Sequence, residues 1–512
     1  MDCLFDVAVI GGGINGCGIA ADASMRGLSV VLVEKNDLAS HTSSSSTKLI
    51  HGGLRYLEHF NFAYVKKSLN ERHTLLTLAP HLIHPLAFVL PYEQSLRPAW
   101  LLKSGLFLYD NLSRKNRLPK SKLIGRSKNE NYFSPLGTQL NKGFIFYDCA
   151  TDDARLTLEN ALQAKQHGAT ILTHSELMNA TISDGLWHLN IKSHQSDGKC
   201  IKARTVINAT GPWALPVNQK LGIASKHHLS LVKGSHLVVP KLYEGNHAYL
   251  LQNEDKRVVF VIPWNGFSMI GTTEEVFSNN PDKVSISPDE TAYLFKVISR
   301  YFNYQLTEAN IITTWSGVRP LLSAERQSPQ TLARDYAYNF TTTPAPAISI
   351  YGGKLTTYRQ LAEDVVNELK AVFPSIPKSV TNEQPLPGAV FGNMTFDDYR
   401  SFAERKYAWI DKTLLNRLLN TYGTNTEKIL ENCVKETDLG QYFACSLYQC
   451  EVDYLLQREW AATCEDILWR RTKLGLEFSA ENIEQLNEYL SKKLVPLLRH
   501  PERVICAKDL HT

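Results

Sequence analysis

The most constraining feature of this chain is a glycine triplet close to its start. The run DVAVIGGGINGCGIAADASMRGLSVVLVEKN reads as a strand from Val7 to Ile10, a glycine turn, a helix to about Met25, a turn at Arg26-Gly27 and a second strand ending on Glu34. Gly11, Gly13 and Gly16 supply G-x-G-x-x-G. The first glycine permits the tight turn, the second lets backbone approach a pyrophosphate, and the third lets helix pack closely on strand. The helix N-terminus, with Asn15 in its first turn, then faces phosphate with unpaired N–H groups. Glu34, 18 residues after Gly16, is placed to accept hydrogen bonds from both ribose hydroxyls. A glycine-rich helix start without a ligand is the alternative. Strand, helix and terminal acid in the correct order favour a dinucleotide, without separating FAD from NAD.

Two later stretches favour the flavin. ARTVINATGPW (Ala203–Trp213) reads as a strand running into Ala209, Thr210 and Gly211, small residues suited to backbone passing beside a flat ligand. AISIYGGKLTTYRQLAEDVVNEL (Ala347–Leu369) reads as a strand, a Gly352-Gly353 turn and an amphipathic helix that starts after Lys354, Leu355 and Thr356. Its N-terminal amides make a second anion site, suited to an isoalloxazine that gains negative charge on reduction.

At 512 residues the chain predicts two or three compact units. A formal charge of +4 is too small to argue for a nucleic-acid partner. The nine cysteines form no C-x-x-C pair and no zinc-like group, so reduced thiols, a cytoplasmic setting and no metal site are expected. The N-terminus enters a strand at once, so no targeting segment is expected. No apolar run approaches the roughly 18 residues needed to span a bilayer, so any membrane contact would be peripheral.

TSSSSTKLIHGGLRYLEH (Thr42–His59) follows the second strand after a few residues. By composition the serine run could be a flexible linker. It leads straight into Gly52-Gly53, which permits close backbone approach, and Arg55, which offers five donors in a planar fork. Here the chain resembles the FAD-dependent glycerol-3-phosphate dehydrogenases of the bacterial aerobic type. The resemblance is carried by VIGGGINGCGIAADASMRGLSVVLVE, TSSSSTKLIHGGLRYLEH, YDCATDDARL, NATGPW, KGSHLVVP, LQNEDKRVVFVIPW, SGVRPL, RDY, GGKLTTYR and EDILWRRTKLG, in order from residue 7 to about 475.

The resemblance implies an α/β fold, α+β overall. A Rossmann-like FAD-binding domain of the glutathione-reductase and D-amino-acid-oxidase type would carry a β-rich substrate layer and a C-terminal α-helical cap. It also implies that Thr42, Ser46, Lys48 and Leu49 wrap FAD and that Arg55, with Tyr56 beside it, reaches the substrate. That substrate would be sn-glycerol 3-phosphate, oxidised at C2 by hydride transfer to the flavin, with electrons passed to a membrane quinone. A phosphate near −2 needs cations, and Arg55, Arg319 in SGVRPL and Arg334 in RDY are the candidates. Each could instead be an ordinary ion-pairing arginine, Arg334 above all because Asp335 adjoins it. A base must take the hydroxyl proton. His236 in KGSH is favoured, with Lys354 polarising the alkoxide, and the two roles could be exchanged; a hydrogen-bonded core histidine is the alternative for His236. Where the family usually has Gly-Thr-Thr-Asp this chain has GTTEE, Gly271–Glu275, and Glu274 is left out of the site set.

The FAD part is expected over about 1–75, 150–215 and 315–370, and the substrate part over 76–149 and 216–314. A proline-rich linker at 374–388 and a helical unit at 389–512 complete the chain. Leu96–Lys122 carries seven Lys/Arg against one Asp, interleaved with Trp100, Leu101, Leu102, Leu106, Phe107 and Leu108. It suits an anionic lipid surface or, equally, a buried amphipathic helix followed by a solvated basic loop. A homodimer is an open possibility for the assembly. The rival functions are a glycerol-3-phosphate oxidase using O2, an amine or amino-acid oxidase, and a non-catalytic flavin redox sensor.

Overall fold

The glycine triplet sits where strand Leu4–Ile10 gives way to helix Ile14–Met25. The structure, a computed structural model, describes residues 4–93, 95–193, 196–322 and 335–498. Leu4–Ile10 runs parallel to Val30–Val33 on one side and to the end of Ser196–Asn208 on the other. Thr170–Leu172 and Ala347–Tyr351 extend this parallel sheet outward, and Ala337–Thr341 closes one edge antiparallel. Alternation sorts the first strand between two cores. Val7 and Val9 pack with the helices Ile14–Met25, Asp153–Gln166 and Tyr358–Glu368, while Ala8 and Ile10 pack with Trp187, Leu189 and Ile191 of a hairpin. A parallel sheet covered on both faces needs apolar residues at every position, and these strands supply them.

A second sheet of ten strands, mostly antiparallel, lies against the first domain. In it Leu229–Val239 pairs with Phe267–Gly271 on one side and with Thr313–Leu322 on the other. This places SGVRPL in the second sheet, whereas the sequence assigned about 315–370 to the cofactor part. An alternating strand motif does not say which sheet it joins, and among the described residues after it the first strand of the parallel sheet is Ala337–Thr341. Successive strand residues alternate faces, so Val232, Gly234 and His236 share a face with Arg319, Gly317 and Trp315, their direct cross-strand neighbours.

The C-terminal unit is helical, with a small hairpin of Tyr442–Ala444 and Leu447–Tyr448. In helix Lys412–Tyr422, capped by the Asp411 carboxylate accepting from Thr413 N and Leu414 N, the inward face is Leu414, Leu415, Leu418, Leu419 and Tyr422. These pack with Val452, Leu455, Ile467 and Leu486. The segment expected as a linker is pinned along its length rather than loosely tethered. Arg26 Nε donates to Pro377 O (2.8 Å), Gln163 Nε2 to Pro385 O (3.2 Å), Leu386 N to Leu78 O (3.0 Å) and Gly388 N to Glu159 Oε2 (2.8 Å). Its prolines restrict the path of the chain, and neighbouring donors and acceptors both hold it. Among the described residues no helix is long and apolar enough to cross a membrane.

Helix Ala99–Asn111 holds the apolar part of the basic stretch. Leu106 and Tyr109 turn inward, the Tyr109 hydroxyl donating to Asp148 and accepting from Gly52 N. Trp100 (70%), Phe107 (65%), Leu101 and Leu108 are left exposed. Large apolar side chains grouped on one outer face are unusual in a water-solvated monomer.

Candidate active site

Between the two sheets runs a cavity of about 420 Å³, bordered at one end by Glu34, Lys35 and Trp213 and at the other by His236, Arg319 and Lys354. Its floor is backbone. A Cβ on Gly16 would overlap the carbonyl oxygen of Gly11, one on Gly11 (φ +111°) would come within 2.7 Å of Ala209 O, and one on Gly353 (φ +102°) within 2.7 Å of Asn15 Nδ2. The first and third glycines therefore let the turn close on the neighbouring strand and helix, and Gly13 keeps the wall open. Glu34 is buried, which raises its carboxyl above the usual range, while the Asn36 and Gly12 N–H groups donating to it pull the other way. Thr42, Ser46 and Leu49 line the middle of the cavity, and Gly211, Gly352, Leu355 and Thr356 line its far wall. Asn15 Oδ1 and Ser40 Oγ are buried cavity-wall oxygens without a hydrogen-bond partner among the described residues. A backbone cradle, an acid at the ribose position and waiting polar atoms fit a flavin dinucleotide.

At the other end the register brings the chemistry together. His236 stacks on Trp315 (5.5 Å between centroids) over the backbone of Gly271, and its Nε2 meets Thr47 Oγ1 at 3.0 Å. Burial, then the charges of Lys48 and Arg319, push the imidazole well below its ordinary pKa, so it is neutral throughout the physiological range. Lys354 Nζ donates to the Tyr56 hydroxyl at 2.8 Å and lies 4.0 Å above the Tyr56 ring. Arg319 crosses the face of Gly234, where any Cβ would collide with its guanidinium, and Arg55 approaches from the Gly52-Gly53 loop. Both converge on Glu274, at 3.7 Å from Arg319 and 3.8 Å from Arg55.

The expected residues do not all reach the cavity. Lys48 lies behind its wall rather than around a ligand, because its Nζ donates to Asp153 Oδ1 (2.8 Å) and Ser44 O (2.9 Å) and passes 4.9 Å over Trp315. Gly16 acts through packing alone. Arg55 borders a second, apolar cavity of about 300 Å³, built from Phe60, Phe62, Leu101, Phe88 and Phe260 among others. The two cavities share Thr47, Leu49, His51, Tyr56, Thr272 and Arg319. Arg334 lies outside the described residues. Sequence reasoning missed Thr47 and His51, although both sit inside a quoted motif. It also set aside Glu274, whose place becomes visible only once two arginines distant in sequence meet it.

The family model "FAD dependent oxidoreductase" matches residues 6–359, and that for the "C-terminal domain of alpha-glycerophosphate oxidase" matches 379–494. A "Glycerol-3-phosphate dehydrogenase" of Pseudomonas aeruginosa is 46% identical over 98% of this chain and 96% of its own. A "D-erythritol 1-phosphate dehydrogenase" of Brucella abortus is 41% identical, covering 91% of this chain and 94% of its own. Among solved structures, a glycerol-3-phosphate dehydrogenase from Bacillus halodurans complexed with FAD superposes with a TM-score of 0.78 at 27% identity, over 97% of this chain and 91% of that one.

Proposed function

Because this chain belongs to the FAD-dependent glycerol-3-phosphate dehydrogenases, with FAD as its cofactor, we propose that it oxidises sn-glycerol 3-phosphate to dihydroxyacetone phosphate and delivers the electrons to a membrane quinone. The observation that carries the substrate reading is the convergence of Arg55 and Arg319 on Glu274 where the two cavities meet, with Arg319 also close to a neutral imidazole. Bound FAD supplies the acceptor for the C2 hydride. Arg319 and Arg55 hold the phosphate, and Glu274, already between them, keeps the two guanidiniums from repelling each other before the substrate arrives. His236 takes the C2 hydroxyl proton at Nε2, the ring nitrogen nearer Thr47. Lys354, held by Tyr56, stabilises the negative charge that grows on the same oxygen. The walls of Trp315 and Gly271 keep water from the imidazole.

Electron delivery to a quinone is supported by the apolar second cavity, which shares a wall with the first and opens among Phe60, Phe62 and Leu101 of the exposed apolar face. The same face, with the exposed Arg114, Lys115 and Arg117 after it, supports peripheral attachment to anionic lipid. Charge reversal of these three residues is expected to move the protein from phosphatidylserine vesicles to the soluble fraction, with reduction of a soluble dye unchanged. Unaltered vesicle partitioning would remove the lipid reading.

The Brucella relative makes a four-carbon polyol phosphate the competing substrate. Anaerobic mixing of the flavin-loaded enzyme with each substrate, following the oxidised-flavin band at about 450 nm, tests the choice. Fast bleaching by glycerol 3-phosphate is expected, with D-erythritol 1-phosphate slower by at least about tenfold, a discrimination of the order one misfitted polar carbon gives. The reverse order, or no bleaching by either, would overturn it. In air, hydrogen peroxide stoichiometric with substrate would select oxygen over quinone as acceptor.

A further inference from the structure

EDILWRRTKLG, Glu465–Gly475, takes no part in the reaction above, yet it buries Asp466, Arg470, Arg471 and Lys473. The first half is a π-helical turn, Asp466–Arg471, a form that recurs at functional positions. From it Arg470 Nε donates to Asp37 Oδ2 at 2.6 Å and Arg471 Nη2 to Asp37 Oδ1 at 2.8 Å. Two residues on, Lys473 Nζ donates to Asp152 Oδ1 at 2.6 Å and to Arg470 O at 3.1 Å. Asp152 caps helix Asp153–Gln166, accepting from Arg155 N at 3.0 Å. The next residue, Asp153, accepts from Ser46 Oγ (2.7 Å), Ser46 N (3.1 Å) and Lys48 Nζ (2.8 Å). Glu459 of the same unit grips Arg155 with both oxygens, one contact at 3.0 Å.

The C-terminal unit thus holds residues 37 to 48 at both ends, directly at Asp37 and through the Asp152-Asp153 pair at Ser46 and Lys48. That segment begins three residues after Glu34 and carries Thr42, Ser46 and Thr47 of the cavity wall. Docking of two units does not by itself call for buried ions, since apolar contacts hold such surfaces at least as well without desolvation cost. The charges make sense for the acids they meet. Asp37 lies close enough to Glu34 to raise its pKa, so two guanidiniums on Asp37 also shield the acid at the ribose position.

We propose that Arg470, Arg471 and Lys473 are positioning residues for the cofactor, fixing both ends of the 37–48 segment so that tight retention of FAD depends on the C-terminal unit. The proposal rests on FAD being the cofactor but not on the choice of substrate, because its test contains no substrate. In the full-length holoenzyme, Lys473→Gln is expected to release FAD at least about tenfold faster, followed by the rise in free-flavin fluorescence on dilution. Amides of residues 42–48 should exchange faster with deuterium, while the far-UV spectrum and the melting temperature of the apoprotein stay at wild-type values. Lys473→Arg should restore slow release. Asp37→Asn, which keeps the carbonyl acceptor and removes the charge, asks the same question from the other partner should Lys473→Gln yield no soluble protein. FAD release within twofold of wild type in either soluble variant, or faster release only in step with a lower apoprotein melting temperature, would overturn the proposal.

Discussion

Arg319→Lys is expected to raise KM for glycerol 3-phosphate by about 100-fold while the purified protein keeps its full flavin content. The geometry sets this size. Arg319 reaches the end of the cavity along a face cleared for it by Gly234, and its fork approaches Glu274, Thr272 and Thr273 together. A charge-assisted hydrogen bond contributes about 1.5–3 kcal/mol, and 1.4 kcal/mol is tenfold in binding. An ammonium on a shorter stem keeps the charge but gives up the second donor of the fork and its reach, which amounts to roughly 2–3 kcal/mol. The loss should fall on KM more than on kcat, because phosphate is held alike in ground and transition states. Flavin should be unaffected, since Arg319 meets the cavity only at its substrate end. Steady-state kinetics beside an absorbance ratio for bound flavin checks both halves. Loss of flavin in proportion to loss of affinity would show that Arg319 serves the cofactor.

What the sequence revealed and what it hid divide along the range of the interactions. The glycine triplet, Glu34 and the Gly352-Gly353 turn are legible because each expresses a local requirement, a tight turn or a backbone with positive φ, that few residues satisfy. His236 and Arg319 were singled out through short motifs, yet their closeness comes from strand register, which pairs Val232 with Arg319 and His236 with Trp315. Nothing in KGSH or SGVRPL fixes that pairing. Lys48 shows the opposite failure. Its motif places it at the flavin, but a carboxylate more than a hundred residues away, Asp153, draws the ammonium behind the cavity wall. Glu274 was left out because GTTEE departs from the usual Gly-Thr-Thr-Asp, and only the fold shows Arg55 and Arg319 meeting on it. The ionic grip of Arg471 on Asp37 spans 434 residues of sequence, and EDILWRRTKLG, though legible as a motif, does not say which acid it meets. The apolar face of Ala99–Asn111 was half legible. Composition gave an amphipathic helix, and only packing showed that Leu106 and Tyr109 are its buried side while Trp100 and Phe107 face outward.

His236→Asn should lower kcat by about 1000-fold, the middle of the range that a positioned general base contributes, with flavin content and KM close to wild type. The imidazole is suited to this work by its surroundings. Burial first, then the positive charges of Lys48 and Arg319, disfavour its protonated form. It is therefore deprotonated, and able to accept, at every pH above a value that lies well under the ordinary 6.5. The sign of the pH dependence follows: kcat should be flat from neutrality downward through 6.5 and fall only at more acidic pH, as the imidazole binds its proton before the substrate can give one. The kcat profile is the correct readout, because the phosphate of the substrate titrates in the same range and enters kcat/KM. A weak base is adequate here since Lys354, fixed 2.8 Å from the Tyr56 hydroxyl, can stabilise the alkoxide as its proton leaves. Asparagine preserves a polar group against Thr47 Oγ1 but cannot bind a proton, so the acid limb should vanish along with the rate. Lys354→Met gives the contrast, lowering kcat while leaving that limb in place. If instead His236→Asn retains more than about a tenth of wild-type kcat and Lys354→Met abolishes the acid limb, the lysine is the base and the imidazole only shapes the wall of the cavity.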